Sequence, residues 1–189
     1  MIRFFDFIFS FFGLLILSPF IVILWGIGFF DTGSPIFAQE RVGKNKKPFK
    51  LYKFRSMHIH TKSVATHLAN SSSVTKYGAF LRKSKLDELP QLFNVLLGYM
   101  SLVGPRPNLF NQEELIHERD SRNIYSLRPG ITGLAQINKI DMSTPKLLAE
   151  MDAKMLYEFN TILYFKYIFL TVFGKGFGDR IKNESEKSK

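Results

Sequence analysis

Residues 82–91, RKSKLDELPQ, end the longest acid-free stretch of the chain with two adjacent carboxylates, Asp87 and Glu88. No Asp or Glu lies between Glu40 and Asp87, while twelve Lys and Arg fall in that interval. Arg82, Lys83 and Lys85 precede the pair, and Gly104-Pro105-Arg106-Pro107 follows, with two prolines stiffening the backbone around one guanidinium. Several cations and two carboxylates whose repulsion a divalent cation would relieve are the parts a phosphoryl-transfer site requires. A carboxylate with an ordinary pKa of about 4 is ionised at neutral pH and attacks phosphorus without a general base. Neighbouring helical residues point about 100° apart, which suits two different roles better than one shared proton. The structural alternative is that both acids only stabilise a helix N-terminus against its macrodipole.

Ser84 to Asp87 has capping-box spacing, so the pair is expected at the start of a helix, with Pro90 tolerated in its first turn. Leu92–Leu97, with Met100 and Leu102, continues as an apolar helical stretch closed by Gly98 or Gly104. Upstream, two short strands are predicted around the polar turn Gly43–Lys47. Alternation in Leu51–Arg55 puts Lys53 and Arg55 on one strand face, whether solvated or functional. Residues 61–77 read as a polar loop. Downstream follow a charged, solvent-facing helix over Glu113–Tyr125, a turn-rich loop at Arg128–Gly133, and one long helix or two over Pro145–Phe173, ending at Gly174. The apolar end of that last segment suits either a bilayer interface or the domain core. His58, His60 and His67 have no carboxylate near them in sequence and make a poor metal site.

The chain has 189 residues, enough for one compact domain and an appendage, and a formal charge of +10 that calls for a polyanionic partner. With no cysteine, a thiolate zinc site and a Cys nucleophile are excluded. The load of 20 Phe and 7 Tyr suits a protein partly immersed in lipid. Residues 4–30 carry a single charge, Asp6. As a straight helix they would reach about 40 Å against a hydrocarbon core of roughly 30 Å. Ser18 and Pro19 fall in the middle, and neither arm beside them spans alone. A kinked span therefore competes with a re-entrant helix-break-helix in which the Ser18 hydroxyl satisfies a freed carbonyl. The basic run after the segment places that side in the cytoplasm. A signal peptide is disfavoured by the length of the apolar stretch and the lack of a small-residue cleavage site. A nucleic-acid partner would leave this apolar segment unexplained, and none is expected.

Three ordered motifs, KFRSM (Lys53–Met57), LRKSKLDELPQLFNVLLGYMSLVGPRP (Leu81–Pro107) and RPGITGLAQIN (Arg128–Asn138), stand behind the apolar segment with its Ser-Pro pair. Together they resemble the bacterial sugar transferase family, the monotopic polyprenol-phosphate phosphoglycosyl transferases, in the short form without an extra membrane bundle. The resemblance covers almost the whole chain. It implies a helix-rich α/β (α+β) fold: a small cytoplasmic catalytic domain with an N-terminal re-entrant membrane helix and interfacial amphipathic helices. The implied layout is a membrane-inserted helix-break-helix at 1–33, a catalytic domain at 34–178 and a charged, disordered tail at 179–189.

The implied reaction moves a sugar 1-phosphate from a UDP-sugar to undecaprenyl phosphate with Mg2+, through a covalent aspartyl phosphosugar, at the cytoplasmic face of the bacterial inner membrane. By motif, Asp87 is the nucleophile and, with Glu88, holds Mg2+. Lys53, Arg55, Arg82, Arg106 and, near the nucleotide, Arg128 bind phosphates or the acceptor headgroup, and Ser18 with Pro19 forms the membrane-helix break. This sequence departs from the family where Leu134 replaces Trp, Tyr99 replaces Asp, and His58-Ile59-His60 replaces acidic residues, which leaves the sugar open. The rival reading is a non-catalytic, membrane-anchored scaffold of a glycan-assembly complex.

Overall fold

The computed structural model describes residues 1–61 and 71–173; residues 62–70, which include His67, and the tail from residue 174 onward lie outside the described residues. The fold is helix-rich with two small sheets.

Helix α1, Ile2–Thr32, is 31 residues long and apolar enough to cross a membrane by length and composition. Its ladder lacks one donor, because Pro19 has no N–H to give the Leu15 carbonyl. Ser18 Oγ donates to that carbonyl at 2.8 Å, so the helix continues through the proline, and the expected helix-break-helix at Ser18 and Pro19 is one continuous helix. Gly33, at φ 72°, ends it in a left-handed cap, its N–H donating to Phe29 O.

Only one stripe of α1 is buried: Asp6, Ser10, Leu24 and Gly28. Both ends of the helix dock on the rest of the chain. Near the N-terminus, Arg3 donates to the carbonyls of Val95 and Leu96, and Ile2 and Phe5 pack against Val103, Met155 and Tyr164. Near the C-terminus, Leu24 joins Phe54 and Leu81 in a second apolar cluster, Tyr77 Oη donates to Leu24 O at 2.7 Å, and Thr75 Oγ1 donates to Asp31 Oδ2 at 2.7 Å. Each such buried Leu contributes about 1.5–3 kcal/mol. The other faces, with Phe4, Ile16, Val22 and Phe30, are exposed.

Strands β1 (Ile36–Val42) and β2 (Pro48–Phe54) pair antiparallel, Ile36 opposite Phe54 and Val42 opposite Pro48, around the expected polar turn. Phe49 and Leu51 bury one face of β2 against Val95 and Met100. Helix α2, Lys76–Ser84, is capped by Thr75, whose hydroxyl accepts from Gly78 N. The capping-box spacing of Ser84 and Asp87 makes no box: Ser84 is the last residue of α2, and its hydroxyl donates to Phe80 O at 2.8 Å. A 3₁₀ turn, Leu86–Glu88, leads through Pro90 into α3, Gln91–Leu97.

Gly98, at φ 87°, closes α3, so Met100 and Leu102 fall beyond the helix rather than in it. They belong to β3, Ser101–Val103, or its approach. The segment expected as a turn-rich loop contains β4, Gly130–Thr132, which runs parallel to β3 with Ser101 opposite Gly130 and Val103 opposite Thr132. The two backbones touch at glycines: a Cβ on Gly130 would lie 2.0 Å from Gly104 N. A short strand with so little apolar content gives a sequence reader no period to detect.

The expected charged helix over Glu113–Tyr125 shrinks to α4, Glu113–Asp120, and it is not wholly solvent-facing. Leu115 and Arg119 are each 1% exposed. A short α5, Leu134–Ile137, follows. The final apolar stretch is two helices, α6 (Pro145–Glu158) and α7 (Thr161–Val172), parted at Phe159-Asn160, where the Asn160 side chain caps α7. Its two expected fates divide between its faces: Tyr164 and Tyr167 are core, while Ile162, Phe169 and Val172 are exposed. Burial beside the Asp6 carboxylate pushes the Tyr164 phenol well above its ordinary pKa, so it stays protonated and donates.

The glycine crossing yields a first prediction. Gly130→Ala, whose added methyl meets backbone rather than a movable side chain, should cost about 3 kcal/mol or more, read as a lowered thermal midpoint in detergent. An unchanged midpoint would show that β3 and β4 can separate freely.

Candidate active site

Asp87 and Glu88 sit on the 3₁₀ turn between α2 and α3. The turn is created by Lys85, which at φ 59° ends α2 in the left-handed region that a lysine enters at a cost of about 1 kcal/mol. Both acids are buried, Asp87 at 0% and Glu88 at 8% exposure, unlike the solvated acids of an ordinary helix start. Arg106 NH2 donates to Glu88 Oε1 at 2.7 Å, the guanidinium retaining partial solvent access. Strand β2, which carries Lys53, 6% exposed, packs against the same turn. Arg82, on the last turn of α2, donates through Nε to Ser56 Oγ at 2.8 Å.

The remaining predicted cations lie elsewhere. Arg55 Nε donates to Ser34 O at 2.7 Å and NH2 to Ile36 O at 3.3 Å, so this guanidinium ties the end of β2 to the entry of β1. Its burial lowers its pKa from the ordinary value. Lys53 and Arg55 do share a face, both lying over the Phe37 ring, at 5.9 and 5.4 Å from its centroid. Arg128 Nε donates to Gly98 O at 2.9 Å, at the opposite end of α3 from the two carboxylates. Arg3 binds carbonyls at the same end, so both arginines oppose the negative pole of that short helix.

Two positions that depart from the family pattern make aromatic or apolar contacts. Tyr99 stacks on Phe49 with centroids 6.3 Å apart, and Leu134 packs against Val103 and Met155. Among the described residues no group of three or more His, Cys, Asp or Glu gathers into a metal site, so His58 and His60 find no further ligand there. Adjacent Asp87 and Glu88 do fit Mg2+, which takes one or two carboxylates, keeps several waters and completes its shell with substrate phosphates.

Sequence reasoning missed the polar residues that hold the site in place. Asn94, fully buried on α3, accepts from Tyr52 N at 3.0 Å and donates to Lys50 O at 2.7 Å, so a side-chain amide continues the edge of β2. Arg41 donates from NH1 to Pro107 O at 3.1 Å, inside the loop that carries Arg106. Asp6 accepts from Ser101 Oγ at 3.0 Å, Leu102 N at 2.9 Å and Tyr164 Oη at 2.9 Å. The available signal was a lone acid in an apolar segment.

Comparison with known proteins identifies the family of the chain. The family model for bacterial sugar transferases matches residues 1–176. The exopolysaccharide production protein PSS of Rhizobium leguminosarum bv. phaseoli is 39% identical, over 93% of this chain and 97% of its own. An uncharacterized sugar transferase, EpsL, of Bacillus subtilis is 39% identical, over 90% of this chain and 84% of its own. The UDP-glucose:undecaprenyl-phosphate glucose-1-phosphate transferase of Klebsiella pneumoniae is 44% identical over 87% of this chain, which spans only 37% of that longer protein. With a match running from the apolar helix through the carboxylate turn to the end of α7, the chain belongs to the bacterial sugar transferase family.

Proposed function

We propose that this chain is a polyprenol-phosphate phosphoglycosyl transferase that moves a sugar 1-phosphate from a UDP-sugar to undecaprenyl phosphate, at the first membrane step of surface glycan assembly. The observation that carries the reading is the Asp87-Glu88 turn, buried and paired to Arg106 in a domain docked along an apolar helix. Longer relatives from Klebsiella pneumoniae and Salmonella typhimurium bear names for this reaction with glucose and galactose, so those sugars head the candidates.

In this reading an ionised Asp87 oxygen attacks the sugar-bearing phosphorus of the donor. The new P–O bond forms as the bond to the UMP oxygen breaks, and UMP leaves with that electron pair. An undecaprenyl phosphate oxygen then attacks the same phosphorus, displacing the Asp87 carboxylate and giving the lipid diphosphate sugar. Arg106 and Lys53 neutralise charge on the transferring phosphoryl group, and Glu88 orients Arg106. Asp87 and Glu88 would hold Mg2+, which would supply further charge neutralisation on the phosphates.

The membrane arrangement follows from α1. The docking of both ends of this helix, about 46 Å long, on one domain supports a reading in which both termini lie on that domain's side of the bilayer. This supports a re-entrant helix, residues 1–33, whose exposed apolar flank enters the cytoplasmic leaflet, followed by a catalytic domain at 34–178. The exposed apolar face of α7 suits the same interface.

Detergent-solubilised protein with Mg2+ should release UMP from a UDP-sugar, with undecaprenyl phosphate required for repeated turnover, and Asp87→Asn should lower the rate by about 1,000-fold or more while still fractionating with membranes. Turnover that survives in Asp87→Asn would sink the nucleophile assignment. No release from any UDP-sugar would favour the scaffold instead. For topology, the absence of native cysteine allows one reporter thiol at a time. A Cys appended ahead of Met1 and Lys44→Cys should both resist an impermeant maleimide in intact cells and react after permeabilisation. Labelling of the N-terminal thiol from outside would establish a span.

A further inference from the structure

The loop that carries Arg106 is held by its carbonyls, since Pro105 and Pro107 offer no N–H. Four consecutive carbonyls are each met by a donor: Pro105 O by Gly130 N at 2.9 Å, Arg106 O by Arg119 NH1 at 2.8 Å, Pro107 O by Arg41 NH1 at 3.1 Å and Asn108 O by Val42 N at 2.9 Å. Of these donors, Arg119 is the one that reaches the backbone of Arg106 itself.

Arg119 is 1% exposed, and its guanidinium makes four hydrogen bonds. Nε and NH2 donate to Asp152 Oδ2 at 3.0 and 2.7 Å, and NH1 donates both to Arg106 O and, at 2.9 Å, to Asn108 Oδ1. Tyr125 Oη also donates to Asn108 Oδ1, at 3.1 Å. A helix-to-helix ion pair, α4 to α6, therefore fixes both sides of Pro107.

Stability alone is a weak reason for such a pair. Desolvating two charges costs about as much as their attraction returns, and well-packed apolar residues often replace a buried pair without loss. Position is the stronger reason. An arginine side chain has several torsions to spend, and only a fixed Cα makes its meeting with Glu88 at 2.7 Å a repeatable event. Misplacement by about 1 Å at a reacting centre can cost about 100-fold in rate.

We propose that Arg119, clamped by Asp152, is a positioning residue for phosphoryl transfer that holds Arg106 against Glu88 through the Arg106 carbonyl and Asn108. The proposal rests on the reaction assigned above.

The test uses the full-length protein in detergent with Mg2+, a UDP-sugar and undecaprenyl phosphate. Arg119→Met combined with Asp152→Leu removes the pair without stranding a charge. It is compared with wild type, with Arg106→Ala, and with all three changes together. Expected are a thermal midpoint close to wild type, UMP release lowered about tenfold or more by the apolar pair, and a further loss below about twofold when Arg106 is already Ala. Hydrogen exchange in residues 104–109 should speed up, with that of β1 and β2 unchanged. Should the apolar pair fail to fold, Arg119→Lys keeps the charge beside Asp152 but cannot make all four hydrogen bonds, and the same non-additivity with Arg106→Ala is expected.

Wild-type turnover in the apolar pair, or an equal loss with and without Arg106, would overturn the positioning role. A wild-type protein that releases no UMP would count against the reaction, and exchange at 104–109 would then decide the clamp alone, with unchanged rates overturning it.

Discussion

A carboxylate buried in an apolar helix is tolerated only where donors surround it, and Asp6 has three of them from two parts of the chain: a hydroxyl and an N–H of β3 and the phenol of α7. This single acid converts a helix that would otherwise be a lipid-soluble rod into part of the catalytic domain's own core. Leu24 does the same at the far end by apolar contact with Phe54 and Leu81. The helix is therefore not a removable anchor attached to a soluble enzyme, and its orientation and that of the domain are one variable.

Strand β3 makes the connection to chemistry short. Its residues Ser101 and Leu102 hold Asp6, and the chain passes Val103 and Gly104 to reach Arg106, the partner of Glu88. The close crossing of Gly104 over Gly130 fixes the exit of that strand. Strand β2, which carries Lys53, packs against the carboxylate turn, while Asn94 locks α3 to β2 by imitating a strand edge. Elements meet at the site because polar side chains pin backbones, while apolar clusters supply the bulk adhesion.

What could be read beforehand follows from how local each signal is. The hairpin, the carboxylate turn, the two C-terminal helices and the apolar helix each carry their pattern within a few consecutive residues. The parallel β3 and β4 pair is missed because three residues show no alternation and their partner lies far along the chain. Arg119 reads as one more surface charge because its partner, Asp152, is 33 residues away. Arg55 and Arg128 are grouped with the phosphate-binding cations by motif alone. Only coordinates reveal that their guanidinium groups already bind backbone carbonyls outside the carboxylate cluster. Charge type is legible in a sequence, whereas the identity of the partner is not.

The hydrogen bond from Tyr164 to Asp6 joins residues separated by 158 positions. During synthesis Asp6 is therefore made well before the last of its three donors. At about 5–20 residues per second, the helix waits roughly ten to thirty seconds with its carboxylate incompletely partnered. In that interval a charged group in hydrocarbon is costly, which favours residence at the headgroup level over deep insertion. The three-donor site around Asp6 is complete only once α7 has been made.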